Sequence, residues 1–169
     1  MQGYLLTDPK YSYLFKTVWL WDEFPSKNDL GGNDLGIDLV ALTNEGQYWA
    51  IQCKCYQPTS VIEKSSVDSF LSTSSREFRD ENQNKTKFSV RLWISTTNNW
   101  GVNAEESIRN QSPQVVRIHL TDLQESPIDW EKLENGIHGE QARITSRSLK
   151  PHQQTALELT HEHFKTEDR

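Results

Sequence analysis

Cysteine is scarce in this 169-residue chain: there are two, Cys53 and Cys55. Set one residue apart, they build no disulfide framework. A zinc site takes about four ligands, and no further His or Cys stands near them in the sequence. Long apolar runs are missing too. No stretch of about 18 apolar residues exists, so no membrane-spanning helix is expected. The opening MQGYLLTDPKYSYLF has no basic segment followed by an apolar one and does not read as a secretory signal. Together these absences give the expectation of a cytoplasmic protein. Positive charge is not in excess either: 18 Lys and Arg stand against 24 Asp and Glu, for a net charge of -6. That excludes a simple nucleic-acid coat, which should be basic. It leaves room for an enzyme acting on nucleic acid, since acidic metal ligands lower the net charge. Internal repeats, low-complexity tracts and the Gly-x4-Gly-Lys-Ser/Thr phosphate loop are all absent, so this stretch by itself holds no such ATP site.

What is present reads as one domain with a remainder. Residues 9–22 set Tyr11, Leu14, Phe15, Val18, Trp19 and Trp21 at roughly helical spacing, which predicts a helix ended by Pro25. The Gly-rich loop SKNDLGGNDLG follows. Residues 36–42 and 47–55 read as strands joined at Asn44-Glu45-Gly46, short enough for an antiparallel hairpin. A helix is expected over 60–79, a polar loop over 80–87 and a strand over 88–94. A short helix over 102–110 and a strand over 115–120 come next. The order helix, strand, strand, helix, strand, helix, strand predicts an α/β or α+β unit over 1–136, a mixed central sheet flanked by helices. Residues 137–148 show no core pattern and read as a linker. LKPHQQTALELTHEHF then opens an amphipathic helix with Pro151 in its first turn, so 149–169 reads as the start of a further domain.

The chemistry lies in YWAIQCKCY, residues 48–56. Alternation sends Trp49, Ile51, Cys53 and Cys55 to an apolar face, and Ala50, Gln52 and Lys54 to the other. Asp38, in GIDLVAL, is brought opposite Gln52 and Lys54 by the hairpin. An acid, an amide oxygen and an ammonium then share one end of a ribbon. A hard divalent cation takes oxygen ligands. Asp38, the Gln52 side-chain oxygen and the Cys53 carbonyl supply three. Lys54 is placed to activate water or offset charge on a phosphate. The plainer reading is a simple Asp38–Lys54 ion pair, which would stabilise a fold little.

This set, Gly36-Ile37-Asp38 followed by Gln52-Cys53-Lys54, resembles the PD-(D/E)XK nucleases, and most closely the Mrr-type branch in which Gln replaces the second acid. The resemblance spans about Tyr11 to Leu120 and implies a restriction-endonuclease-like fold with an αββαβαβ-type core. It implies Mg²⁺ bound at Asp38, with Mn²⁺ as a substitute, and catalysis at Asp38, Gln52 and Lys54. It also implies an acid on the first helix in the metal shell, Glu23 first and Asp22 next. Missing one anionic ligand puts metal affinity in question. Lys64, Arg76, Lys85 and Lys87, with Arg79, form an expected phosphate-contacting edge for double-stranded DNA. The tail LKPHQQTAL is similar to the adenine-reading Gln motif of helicase-like translocases, with Gln153 as the match. Together the two resemblances imply the N-terminus of a type ISP restriction-modification enzyme: a DNA endonuclease coupled to an ATP-driven translocase, with a methyltransferase further along the same chain. A stand-alone Mrr-like or junction-resolving nuclease, and a non-catalytic DNA-binding or interaction module, are the alternatives.

Overall fold

The computed structural model describes residues 1–32, 36–144 and 151–167. Its centre is a five-stranded mixed sheet in the order β1-β2-β3-β6-β7. The strands are β1 (Phe15–Leu20), β2 (Leu39–Thr43), β3 (Tyr48–Lys54), β6 (Phe88–Ser95) and β7 (Val115–Ile118). A separate two-stranded ribbon pairs β4 (Phe78–Arg79) with β5 (Lys85–Thr86). β1–β2 and β2–β3 are antiparallel, and β3–β6 and β6–β7 are parallel. The mixed sheet expected from the sequence is therefore the one formed.

Helices cover both faces. α3 (Lys64–Ser74) and α4 (Val102–Ile108) bury Val67, Phe70, Ala104 and Ile108 with Val40, Ala50 and Trp93. On the other face α1 (Gln2–Thr7) and α5 (Leu120–Glu125) bury Tyr4, Leu5 and Leu123 with Leu39, Ile51, Leu92 and Ile118. The short helices α2 (Pro9–Ser12) and α6 (Trp130–Glu134) flank α1, and Tyr4 stacks on Trp130.

The helix expected over 9–22 is not formed. Only Pro9–Ser12 is helical, capped by Asp8, whose carboxylate accepts from Lys10 N. Residues 15–20 are an edge strand carrying β-branched and aromatic side chains. The helix expected over 60–79 is shorter, 64–74, because its end turns into the β4–β5 ribbon where a polar loop was expected. The hairpin turn at Asp80 is held by its carboxylate, which accepts from Asn82 N and Asn84 N.

Part of the expected linker is folded. Ala142 is fully buried, and Arg143 donates to the Thr7 carbonyl (2.7 Å) and to Ser12 Oγ (2.8 Å). Gly139 N donates to Thr7 Oγ1. Residues 137–144 thus pack against the N-terminal helices, while 145–148 lie outside the described residues. The helix expected after Pro151 is α7 (Pro151–Glu167), with Leu157 and Leu159 exposed along it.

Candidate active site

The hairpin places the polar set as the alternation requires. Leu39 pairs with Ile51, so Asp38 stands opposite Gln52, and Asp38 N donates to the Ile51 carbonyl (2.9 Å). Asp38 Oδ2 accepts from Gln52 Nε2 and from Cys53 N, the latter at 2.6 Å. Gln52 Nε2 also reaches the Cys53 carbonyl at 3.4 Å. Gln52 is buried, 1% exposed, and among the described residues its Oε1 has no hydrogen-bond partner. An orphaned acceptor of this kind costs about 1–3 kcal/mol unless a ligand meets it.

Lys54 follows on the same face, half-buried at the end of β3. Among the described residues its ammonium makes no hydrogen bond or ion pair. Asp38 is thus held by Gln52 and a backbone amide rather than by a simple pairing with Lys54. Beyond Lys54 the chain is fixed. Its carbonyl accepts from Thr96 N, and Thr96 Oγ1 exchanges hydrogen bonds with Tyr56 N and O, each 2.7 Å. Thr97 Oγ1 donates to the Ser60 carbonyl, Ile62 N to the Asn99 carbonyl and Gly101 N to the Ile62 carbonyl. The loops after β3 and β6 are laced together beside the site. Sequence reasoning passed over this Ser95-Thr96-Thr97 segment; its signal was a hydroxyl cluster ending a strongly apolar strand.

Asp38 is aimed by a close approach. Gly36 has φ of +89°, and a Cβ there would lie 2.9 Å from Phe70 N on α3. Gly36→Ala is expected to be strained by the left-handed backbone and to push the Asp38 segment off α3. A loss of about 2–3 kcal/mol in stability, measured by chemical denaturation, is the expected outcome.

The thiol of Cys53 lies on the opposite, apolar face, where burial and the nearby Asp38 charge push it up to about 12. Its contribution to the site is its backbone. Glu23 and Asp22 sit in a 3-10 turn after β1, not on a helix. The Glu23 carboxylate accepts from Leu20 N (3.1 Å), and Asp22 pairs with Lys27. Among the described residues no three His, Cys, Asp or Glu side chains group to hold a metal.

The expected phosphate-contacting cations are spread along α3 and the ribbon after it. Lys64 opens α3 at the Lys54 end of the sheet and pairs with Asp68. Arg76, Lys85 and Lys87 lie beyond the other end of α3. Arg76 donates to the Leu30 carbonyl (2.8 Å), Lys87 pairs with Glu77 (3.3 Å), and Lys85 stands opposite Arg79 in the ribbon. Gln153 is exposed on α7.

Residues 6–140 match the model of an Mrr catalytic-domain family described as restriction endonuclease. No curated protein matches. Among solved structures, an ATP-dependent type ISP restriction-modification enzyme, LlaBIII bound to DNA, is 31% identical over 99% of this chain, with a TM-score of 0.61. This chain spans 10% of that one. The MspJI restriction endonuclease in complex with a 27-mer oligonucleotide is 23% identical over 54% of this chain and 19% of its own, with a TM-score of 0.35. The sheet, the Asp38–Gln52–Lys54 face and the match over residues 6–140 lead to one assignment: the chain belongs to the Mrr-type restriction endonucleases of the PD-(D/E)XK superfamily.

Proposed function

We propose that this chain is a metal-dependent DNA endonuclease domain that hydrolyses phosphodiester bonds of double-stranded DNA. The observation that carries the reading is the convergence of the Asp38 carboxylate and the Cys53 carbonyl on the buried Gln52 amide, whose Oε1 has no partner among the described residues, beside a lysine with no ion partner among them. That oxygen set suits a hard divalent cation, Mg²⁺ or Mn²⁺. Such an ion would supply an activated water and neutralise charge at the phosphate. Asp38 contributes the anionic ligand and Gln52 and Cys53 neutral ones. Glu23 joins only by releasing the Leu20 amide. Lys54 sits where its charge can stabilise the attacked phosphate.

The similarity to a type ISP enzyme supports coupling to an ATP-driven translocase and a methyltransferase in a longer protein, with α7 and Gln153 at the junction. On this reading the domain alone holds DNA weakly, because its net charge is -6 and phosphate contacts dominate affinity. Loading and target choice then come from those other parts.

The test is nicking of supercoiled plasmid at high protein concentration. Wild type should nick with Mg²⁺ or Mn²⁺ and stop in EDTA, and Asp38→Asn should be inactive while remaining folded. Nicking that survives EDTA or Asp38→Asn would overturn the assignment of the site.

A further inference from the structure

Gln52 points its amide the unexpected way for a metal ligand. Its NH₂ donates at once to Asp38 Oδ2 and to the Cys53 carbonyl, the two other oxygens of the site. Its own oxygen is buried and has no partner among the described residues. A carboxamide carries a donor group and an acceptor on the same planar head, exchanged by a half-turn. Were Oε1 turned toward them instead, three oxygens would converge with nothing between them and repel one another. An NH₂ placed among them supplies positive hydrogen atoms where a cation would otherwise sit.

We propose that Gln52 sets the metal affinity of this site by holding two positions. Without a cation its NH₂ occupies the cation's place and steadies Asp38. With one bound, the amide has turned and presents Oε1. This inference rests on the metal reading of the site above. It gives the amide a role that an acid in this position lacks. A glutamate would face Asp38 as a second anion, and two carboxylates this close disfavour ionisation of both. The amide keeps the metal-free site assembled, but cation binding must break its two hydrogen bonds. The site is therefore ordered and weak-binding, where a two-acid site is strained and tight-binding.

The 169-residue chain is titrated with Mg²⁺ while the side-chain NH₂ resonances and the unfolding temperature are followed. In wild type the Gln52 NH₂ pair should move on titration, and should not move in Asp38→Ala. In EDTA, Gln52→Glu should unfold about 5 °C below wild type. Its half-saturating Mg²⁺ should be lower by roughly tenfold, since ligand charge count tunes affinity. An NH₂ pair that stays fixed while Mg²⁺ raises the wild-type unfolding temperature overturns the two positions and leaves the metal site standing. Gln52→Glu matching wild type both in EDTA and in its Mg²⁺ titration overturns them equally. No response to Mg²⁺ in wild type overturns the metal reading itself, and this inference with it. Should Gln52→Glu fail to fold, the wild-type resonances still decide.

Discussion

Replacing Lys54 with alanine is expected to slow plasmid nicking by about 100- to 1000-fold, the usual loss when one group aimed at developing charge is removed. The unfolding temperature should stay within about 2 °C of wild type. The two expectations separate function from fold because of where Lys54 stands. Its ammonium has no hydrogen bond or ion pair among the described residues, so truncation strands no partner. Its backbone carries the structural work, through the bond from Thr96 N to its carbonyl, and alanine keeps that. Lys54 is also the last residue of β3, so no apolar layer closes over the missing methylenes. Equal nicking rates for wild type and Lys54→Ala would remove Lys54 from the chemistry and return the site to a binding role.

The second large effect falls on stability. Arg91 is 1% exposed in the middle of the molecule, and its hydrogen bonds go to neutral acceptors. Nε donates to Ser74 Oγ and Nη2 to Ser75 Oγ, both at 2.7 Å. Nη1 donates to the Pro113 carbonyl at 2.8 Å and to Gln111 Oε1 at 3.4 Å. Burial pulls the guanidinium below its ordinary pKa, yet arginine stays charged at any working pH. The side chain joins the end of α3, the strand β6 and the segment before β7 at one point. Arg91→Ala would strip four acceptors of their donor, the buried Ser74 Oγ among them, and open a cavity. A loss of about 3–4 kcal/mol is expected, or roughly 10 °C in the unfolding temperature. Arg91→Met fills most of the volume and also removes the buried charge, so it should lose less than alanine. Denaturant titration of the three proteins measures this. An alanine variant as stable as wild type would mean that the segments hold together without the guanidinium.

The polar end of the hairpin was legible from residues because side chains alternate strictly along a strand. Ile51 and Cys53 share one face, so Gln52 and Lys54 share the other, with Asp38 opposite. The first strand was misread for a local reason. A bulge between Phe15 and Thr17 shifts the register of β1. It puts Phe15 and Val18, three residues apart, into the same cluster, which imitates helical spacing. The aromatic Trp19 turns to the opposite cluster, so both faces carry apolar groups and no alternation shows. Arg91 was hidden by its own chemistry: an arginine in a strand reads as surface, and only the three-dimensional meeting of Ser74, Ser75 and Pro113 makes it a core residue. The spread of the expected cations has a related origin. Lys64 opens α3 and Lys87 follows the ribbon beyond its other end, so the helix stands between them.

The lacing of the loops after β3 and β6 bears on what the rim can accept. Tyr56, Ser60 and Ile62 are tied to Thr96, Thr97 and Asn99 by side-chain and backbone bonds. The conformational entropy of these loops is given up when the chain folds, not when a duplex arrives. On the proposed nuclease reading, a stiff rim would not mould itself to its substrate, and the duplex would have to conform to the rim. Selectivity at this surface would then follow the cost of deforming DNA, with flexible pyrimidine–purine steps seated more readily than rigid A-tracts.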